Sequence, residues 1–321
     1  MPHPFRRLRR FRFNLPQRIA AALLVLFLAQ AAWLISRQAA APAQLLPRLL
    51  FLAVGVLLGG ALWWVTRRLY GNQGGYTALV LYCFSPAILR ACVLPGSELL
   101  AVLGVYGGVY TSVGVAHAMQ GPRRKWRPRI LLLTAIFAIA ALTHLVALAL
   151  ALLLGLALVL WIAEGRRTQV CFVLLTAVAG ALVVFFACDG FSLRTFLGTS
   201  DAFSVTFSLD PARRFFFALP HVGIGLATAA AMLLYLAQRR SRYFGNTAPL
   251  LCALVLIFLA TKGASGTATP WLWALPFLLT FIAGVFADAY QSPRRRLALG
   301  AAGALILFQA VVCFLSLPGL L

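Results

Sequence analysis

Acid–base and anion-binding chemistry has few carriers in this chain, which holds six carboxylates and four histidines. Glu98 follows Leu94-Pro95-Gly96-Ser97 and opens an apolar run. A carboxylate there can exchange a proton if it faces a wet cavity, or can sit at a helix N-terminus favoured by the macrodipole, with Ser97 or Gly96 near the cap. His144 comes directly after Thr143 between two apolar runs, at a corner where the first N–H groups of the next helix are open to an anion. A turn histidine bonded to a nearby carbonyl is the plainer alternative. Lys262, within Thr261-Lys262-Gly263, is a second cation able to meet a phosphate, or a solvated loop lysine. Arg90 is close enough in sequence to pair with Glu98 and hold it charged. Asp189, Asp201 and Asp210 lie in one long polar connection, where they are solvated charges unless the fold brings them against a substrate.

No GxSxG, HExxH, P-loop or dinucleotide signature occurs, which removes the usual footholds for hydrolase, metalloprotease, ATPase and nicotinamide chemistry. The six cysteines show no CxxC or Cys/His spacing, so neither a metal site nor a disulfide framework is expected. Cys92 and Cys188 fall near one face, where pairing is open. The aromatic pairs Trp63-Trp64 and Trp271-Trp273 read as interfacial anchors near helix ends.

The elements that must position these residues are set by composition. Hydrophobic residues make up 62% of the chain and charged ones 11%, which excludes a water-soluble fold. Apolar runs of about 18 residues or more recur from Ile19 onward, each long enough to cross a hydrocarbon core. Backbone groups in lipid must be satisfied internally, and runs without strict alternation choose helices over a barrel. The expected fold is all-α, a polytopic transmembrane bundle of about eleven spans. They fall near 19–36, 48–65, 75–90, 97–118, 130–143, 145–163, 169–187, 215–237, 248–261, 270–288 and 297–317. Thr143-His144 divides an apolar stretch too long for one crossing, and Ser85-Pro86 should end or kink the third span.

The net charge of +22 is distributed as topology predicts rather than as a nucleic-acid surface. With the N-terminus inside and the C-terminus outside, 21 of the 28 lysines and arginines fall on inner segments and seven on outer ones. The acids collect outside, at Glu98, Asp189, Asp201 and Asp210, with Glu164 and Asp288 inside. Residues 1–18 read as a basic cytoplasmic segment leading into an uncleaved anchor, and 19–321 as one transmembrane domain with an outer loop at 188–214.

Three stretches carry a family resemblance. Trp64-Val-Thr-Arg-Arg-Leu-Tyr-Gly71, then Gly74-Gly75-Tyr76 through Phe84-Ser85-Pro86, then Leu94-Pro-Gly-Ser-Glu98 resemble the polytopic type C (GT-C) glycosyltransferases. The nearest likeness is to bacterial relatives of the protein O-mannosyltransferases and the lipid A aminoarabinose transferase. Ala141-Leu142-Thr143-His144 stands where that family often has Leu-Thr-Lys, and Thr269-Pro270-Trp271 through Pro276-Phe277 is similar to its Tyr-Leu-Leu-Pro segment. The resemblance implies transfer of a hexose or pentose from a polyprenyl-phosphate carrier to an acceptor at the outer face of the inner (plasma) membrane. It implies Glu98 as the leading acid, with Asp189 and Asp201 as substitutes, and His144, Lys262 and Arg90 as carrier-phosphate contacts. No metal ligand set and no cofactor are expected beyond the lipid-linked sugar as donor substrate, a divalent cation being left open. The expected partners are membrane lipids and the polyprenyl-phosphate sugar, not nucleic acid, with protein partners undefined.

One departure matters. The family's principal acid lies in a long first outer loop, and here Arg37 to Pro47 contains no carboxylate. Either another acid substitutes, or the chain is a noncatalytic relative, a pseudoenzyme that binds a lipid or partner protein. A small-molecule or lipid transporter is a third class, for which mid-span ionisable residues and paired broken helices would be the signs.

Overall fold

In the computed structural model the described residues are 14–37, 45–94, 98–121, 126–162, 166–188, 205–207, 216, 219–261, 270–293 and 295–320. The helices are α1 (Leu15–Arg37), α2 (Leu45–Cys83), α3 (Pro86–Val93), α4 (Glu98–Met119), α5 (Trp126–Thr143), α6 (Leu145–Ile162) and α7 (Arg167–Cys188). They continue as α8 (Val222–Ala237), α9 (Phe244–Phe258), α10 (Pro270–Tyr290) and α11 (Arg295–Ser316). Two short strands, β1 (Val205–Phe207) and β2 (Leu259–Thr261), pair antiparallel with Val205 opposite Thr261. The architecture is a helical bundle, as expected, and the short pair ends the ninth helical segment at Phe258 rather than 261. Backbone extended at β2 satisfies its polar groups across the ladder instead of along a helix.

Nine helices among the described residues are long and apolar enough to cross a membrane, with α2 counted once, and Phe244–Ile257 is a shorter apolar helix. The chain is a multi-pass helical membrane protein. Large side chains such as Leu131, Leu153, Leu233 and Leu297 are exposed on its perimeter, where lipid is the solvent.

α2 is not one rod. Gly71 has φ 75° and ψ −172°, a region open essentially to glycine, and the two arms fold back on each other there. An ideal Cβ on Gly75 would lie 3.0 Å from the Arg67 Cβ, and one on Gly59 would lie 2.8 Å from the Tyr82 ring. The Tyr82 hydroxyl donates to the Gly55 carbonyl at 2.6 Å, 27 residues away, a separation that a straight helix would stretch to about 40 Å. The arms occupy the segments read as the second and third crossings. The second arm then stops at Ser85, with Pro86 in the first turn of α3 as the sequence requires. Buried Gln309 of α11 closes this break: its Nε2 donates to the Phe84 carbonyl at 2.8 Å, and its Oε1 accepts the Ile224 N–H at 3.1 Å.

α10 forms the axis of the bundle. In its most apolar 18-residue stretch 94% of residues are buried, against 22% in α11. It packs on α2, α4, α8, α9 and α11.

Candidate functional site

α4 brings two neighbours close because one of its faces is small. Ideal Cβ atoms on Gly104 and Gly108 would lie 2.7 Å from the Ala140 Cβ and 2.9 Å from the Phe137 ring, and one on Gly155 would lie 3.0 Å from the Ser112 hydroxyl. Gly104, Gly108 and Ser112 recur every four residues, the spacing that lets membrane helices approach through small side chains. These contacts fix direction as well: α5 runs antiparallel to α4, and α6 runs parallel to it. The Thr143-His144 corner is therefore a full reversal, level with the head of α4 where Glu98 stands.

The corner is a single residue long. The His144 N–H donates to the Ala140 carbonyl at 2.9 Å and completes α5, while the His144 carbonyl accepts from the Ala147 N–H at 2.9 Å and starts α6. The Thr143 hydroxyl folds back on the Ala140 and Ile139 carbonyls at 2.9 and 3.0 Å. With its backbone used by both helices and its ring partly exposed, His144 presents its imidazole beside the head of α4.

α10 supplies the group that joins the two. The Trp273 indole N–H donates to Glu98 Oε2 at 3.0 Å, and the His144 ring lies 5.9 Å from the Trp273 ring, centroid to centroid, at 42°. Trp273 is 1% exposed, whereas Glu98 and His144 are both partly exposed. An indole N–H can only donate, so it fixes one carboxylate oxygen as an acceptor and orients the other. Expected to be an interfacial anchor, Trp273 is instead an interior residue of the site. Below it the floor is aromatic: Tyr106 packs on Phe277 at 5.1 Å and its hydroxyl meets the Thr280 hydroxyl at 3.0 Å.

An apolar cavity of about 360 Å³ is lined by Leu46, Pro47, Leu50, Phe51 and Val54 of α2 and by Leu100, which lies two residues after Glu98 on a different face of α4. Within the same turns of α2, Arg48 is buried to 6% exposure. Sequence reasoning counted Arg48 only as an outer basic residue. The available signal was its position at the start of a span, since a cation at the edge of a membrane helix is a site hypothesis by default.

The other sequence candidates divide. Arg90 is exposed in the last turn of α3, and among the described residues it pairs with no carboxylate; Glu98 takes the indole N–H instead of the guanidinium. Asp189, Asp201 and Lys262 lie outside the described residues, as do Asp210 and Glu164. Cys92 and Cys188 are both free thiols, the first buried and the second exposed. Among the described residues no three His, Cys, Asp or Glu side chains gather into a possible metal site.

Comparison with family models, with curated proteins and with solved structures gives no match, so the chemistry of this site is argued from its own residues.

Proposed function

We propose that the chain is a membrane glycosyltransferase of the type C architecture, moving a sugar from a polyprenyl-phosphate donor to an acceptor hydroxyl at the outer face of the plasma membrane. In this reading both arms of α2 cross separately and α9 also crosses. Eleven crossings result, with the arginine-rich turns inside. The observation that carries the reading is the meeting of Glu98 of α4, His144 of the α5–α6 corner and Trp273 of α10. Alternating crossings from a cytoplasmic N-terminus assign the same outer face to all three.

The chemistry follows from the groups. Glu98 takes the proton of the acceptor hydroxyl as its oxygen bonds to the anomeric carbon, and the bond from that carbon to the phosphate oxygen breaks. The departing polyprenyl phosphate carries the electron pair. His144 and the buried Arg48 stabilise that developing charge, as preorganised donors do best where water is scarce. The apolar cavity beside Leu100 takes the first part of the polyprenyl chain.

Full-length protein in lipid nanodiscs, supplied with a radiolabelled polyprenyl-phosphate sugar and membrane acceptors, tests this. Transfer by the wild type that falls about 10²–10⁴-fold in Glu98→Gln supports it. Carrier binding without transfer by the wild type favours the noncatalytic relative, the reading to which the acid-free first outer loop points.

A further inference from the structure

The end of the bundle opposite Glu98 is built from three turns bonded to one another. The Tyr70 hydroxyl, beside the Gly71 turn, donates to the Gly245 carbonyl. Asn246 donates to the Ser241 carbonyl at 3.0 Å and to the Asp288 carboxylate at 2.8 Å, and Arg240 donates to Gln291 at 3.0 Å. These bonds gather the turn between the α2 arms, the turn before α9 and the turn after α10. Six exposed arginines lie on or next to these turns in the chain: Arg68, Arg239, Arg240, Arg242, Arg295 and Arg296.

Among the described residues Asp288 is the only carboxylate at this end, and it is already engaged by Asn246. Tyr243 adds no negative charge, because burial and then the nearby Asp288 carboxylate push its phenol up to about 12. Just beyond the arginines the surface turns apolar, with Leu69, Leu233, Leu236 and Leu297 between 46% and 73% exposed. A cationic rim over exposed leucines has two needs, an anion above and hydrocarbon below. A soluble anion meets only the first. Guanidinium groups bind phosphate oxygens through paired N–H donors, which a zwitterionic headgroup offsets with its own cation.

We propose that this corner is a docking site for an anionic phospholipid, its phosphodiester held by Arg239, Arg295 and Arg296 and its acyl chains lying along Leu233, Leu236 and Leu297. It does not depend on the chemistry at Glu98. Arg240 is engaged by Gln291 and Arg242 by the Tyr235 carbonyl, whereas the three named arginines take no part in joining the turns and adjoin the exposed leucines in sequence.

The test is native mass spectrometry of the full-length protein in neutral detergent, titrated with phosphatidylglycerol or with phosphatidylcholine of the same chain length. Wild-type protein should bind phosphatidylglycerol at least about tenfold more tightly, and an Arg239→Gln, Arg295→Gln, Arg296→Gln variant should lose about fivefold for each charge removed. Arg37→Gln, at the other end of α1, should change little. Equal wild-type affinity for the two lipids would overturn the proposal without recourse to any variant. Displacement of the lipid by an equal concentration of inorganic phosphate would overturn it too, because the acyl chains would then contribute nothing.

Discussion

At the Glu98 end the carboxylate of α4 and the His144 ring of the α5–α6 corner meet one indole of α10. At the opposite end arginines finish helices. Arg166 donates to the Met119 carbonyl at 2.6 Å and Arg242 to the Tyr235 and Leu236 carbonyls, while Arg129 ties α5 to the side of α4 through the Gly114 carbonyl at 2.7 Å. The last carbonyls of a helix have no intrahelical partner, and the negative end of the macrodipole favours a cation there. The basic end thus spends part of its charge on holding helices together, while at the sparse end Glu98 and His144 gather about the Trp273 indole and both stay partly exposed. Under the proposed function, density of charge is a poor guide to the reactive end of this molecule, and scarcity a better one.

Changes at the sparse end should lower activity at nearly constant stability, and changes at the basic end should do the reverse. The largest effect is expected from Glu98→Gln, which keeps an oxygen for the Trp273 N–H but removes the base. Transfer should fall about 10²–10⁴-fold while the thermal midpoint moves little. Loss of folded protein in step with activity would erase the distinction between the ends. Next is Gly284→Val. An ideal Cβ there would lie 2.1 Å from Asn246 Oδ1 and 2.6 Å from Tyr70 Cζ, so the junction of the basic turns must open. A stability loss of about 3 kcal/mol is expected in reversible denaturation, with the specific activity of the surviving folded fraction unchanged.

Much of this was legible in the residues. Ser85-Pro86 and Thr143-His144 interrupt apolar runs, and both interruptions are where helices break. Glu98 and His144 were singled out by type and position, and they do share a neighbour. Trp273 was not recognised as that neighbour, for a physical reason. In lipid nearly every helix is apolar all round, so periodicity no longer tells an inward face from an outward one. α10 is the most buried helix and reads much like its exposed neighbours. A turn between the second and third crossings was expected, but not how tight it is. Gly71-Asn72-Gln73-Gly74-Gly75 has loop composition, yet helix continues to Tyr70 and resumes at once, because Gly71 alone absorbs the turn and the Arg67 guanidinium bonds Asn72 Oδ1 across it at 2.9 Å.

Trp273→Phe tests the sparse end more finely. The ring against His144 is retained and only the N–H is lost, so the Glu98 carboxyl stays in place but loses what orients it. Transfer should fall about tenfold, the scale of one hydrogen bond to a charged group, without loss of carrier binding. A drop as large as that of Glu98→Gln would mean that the indole does more than orient.

The smallest expected effect belongs to Arg166→Met, which addresses the basic end alone. Arg166 is exposed, and its contact with the Met119 carbonyl finishes α4, the helix whose other end carries Glu98. Methionine retains most of the apolar stem and removes the cation from the helix C-terminus, so about 0.5 kcal/mol of stability should be lost, and less at high salt. Because α4 is held along its length by Gly104 and Gly108 against α5 and α6, fraying of its last turn should not travel the length of the helix to Glu98. Transfer per folded molecule should therefore equal that of the wild type. If it fell severalfold, the two ends would be coupled through α4, and the separation of a stabilising end from a reactive end would have to give way to a single mechanical unit.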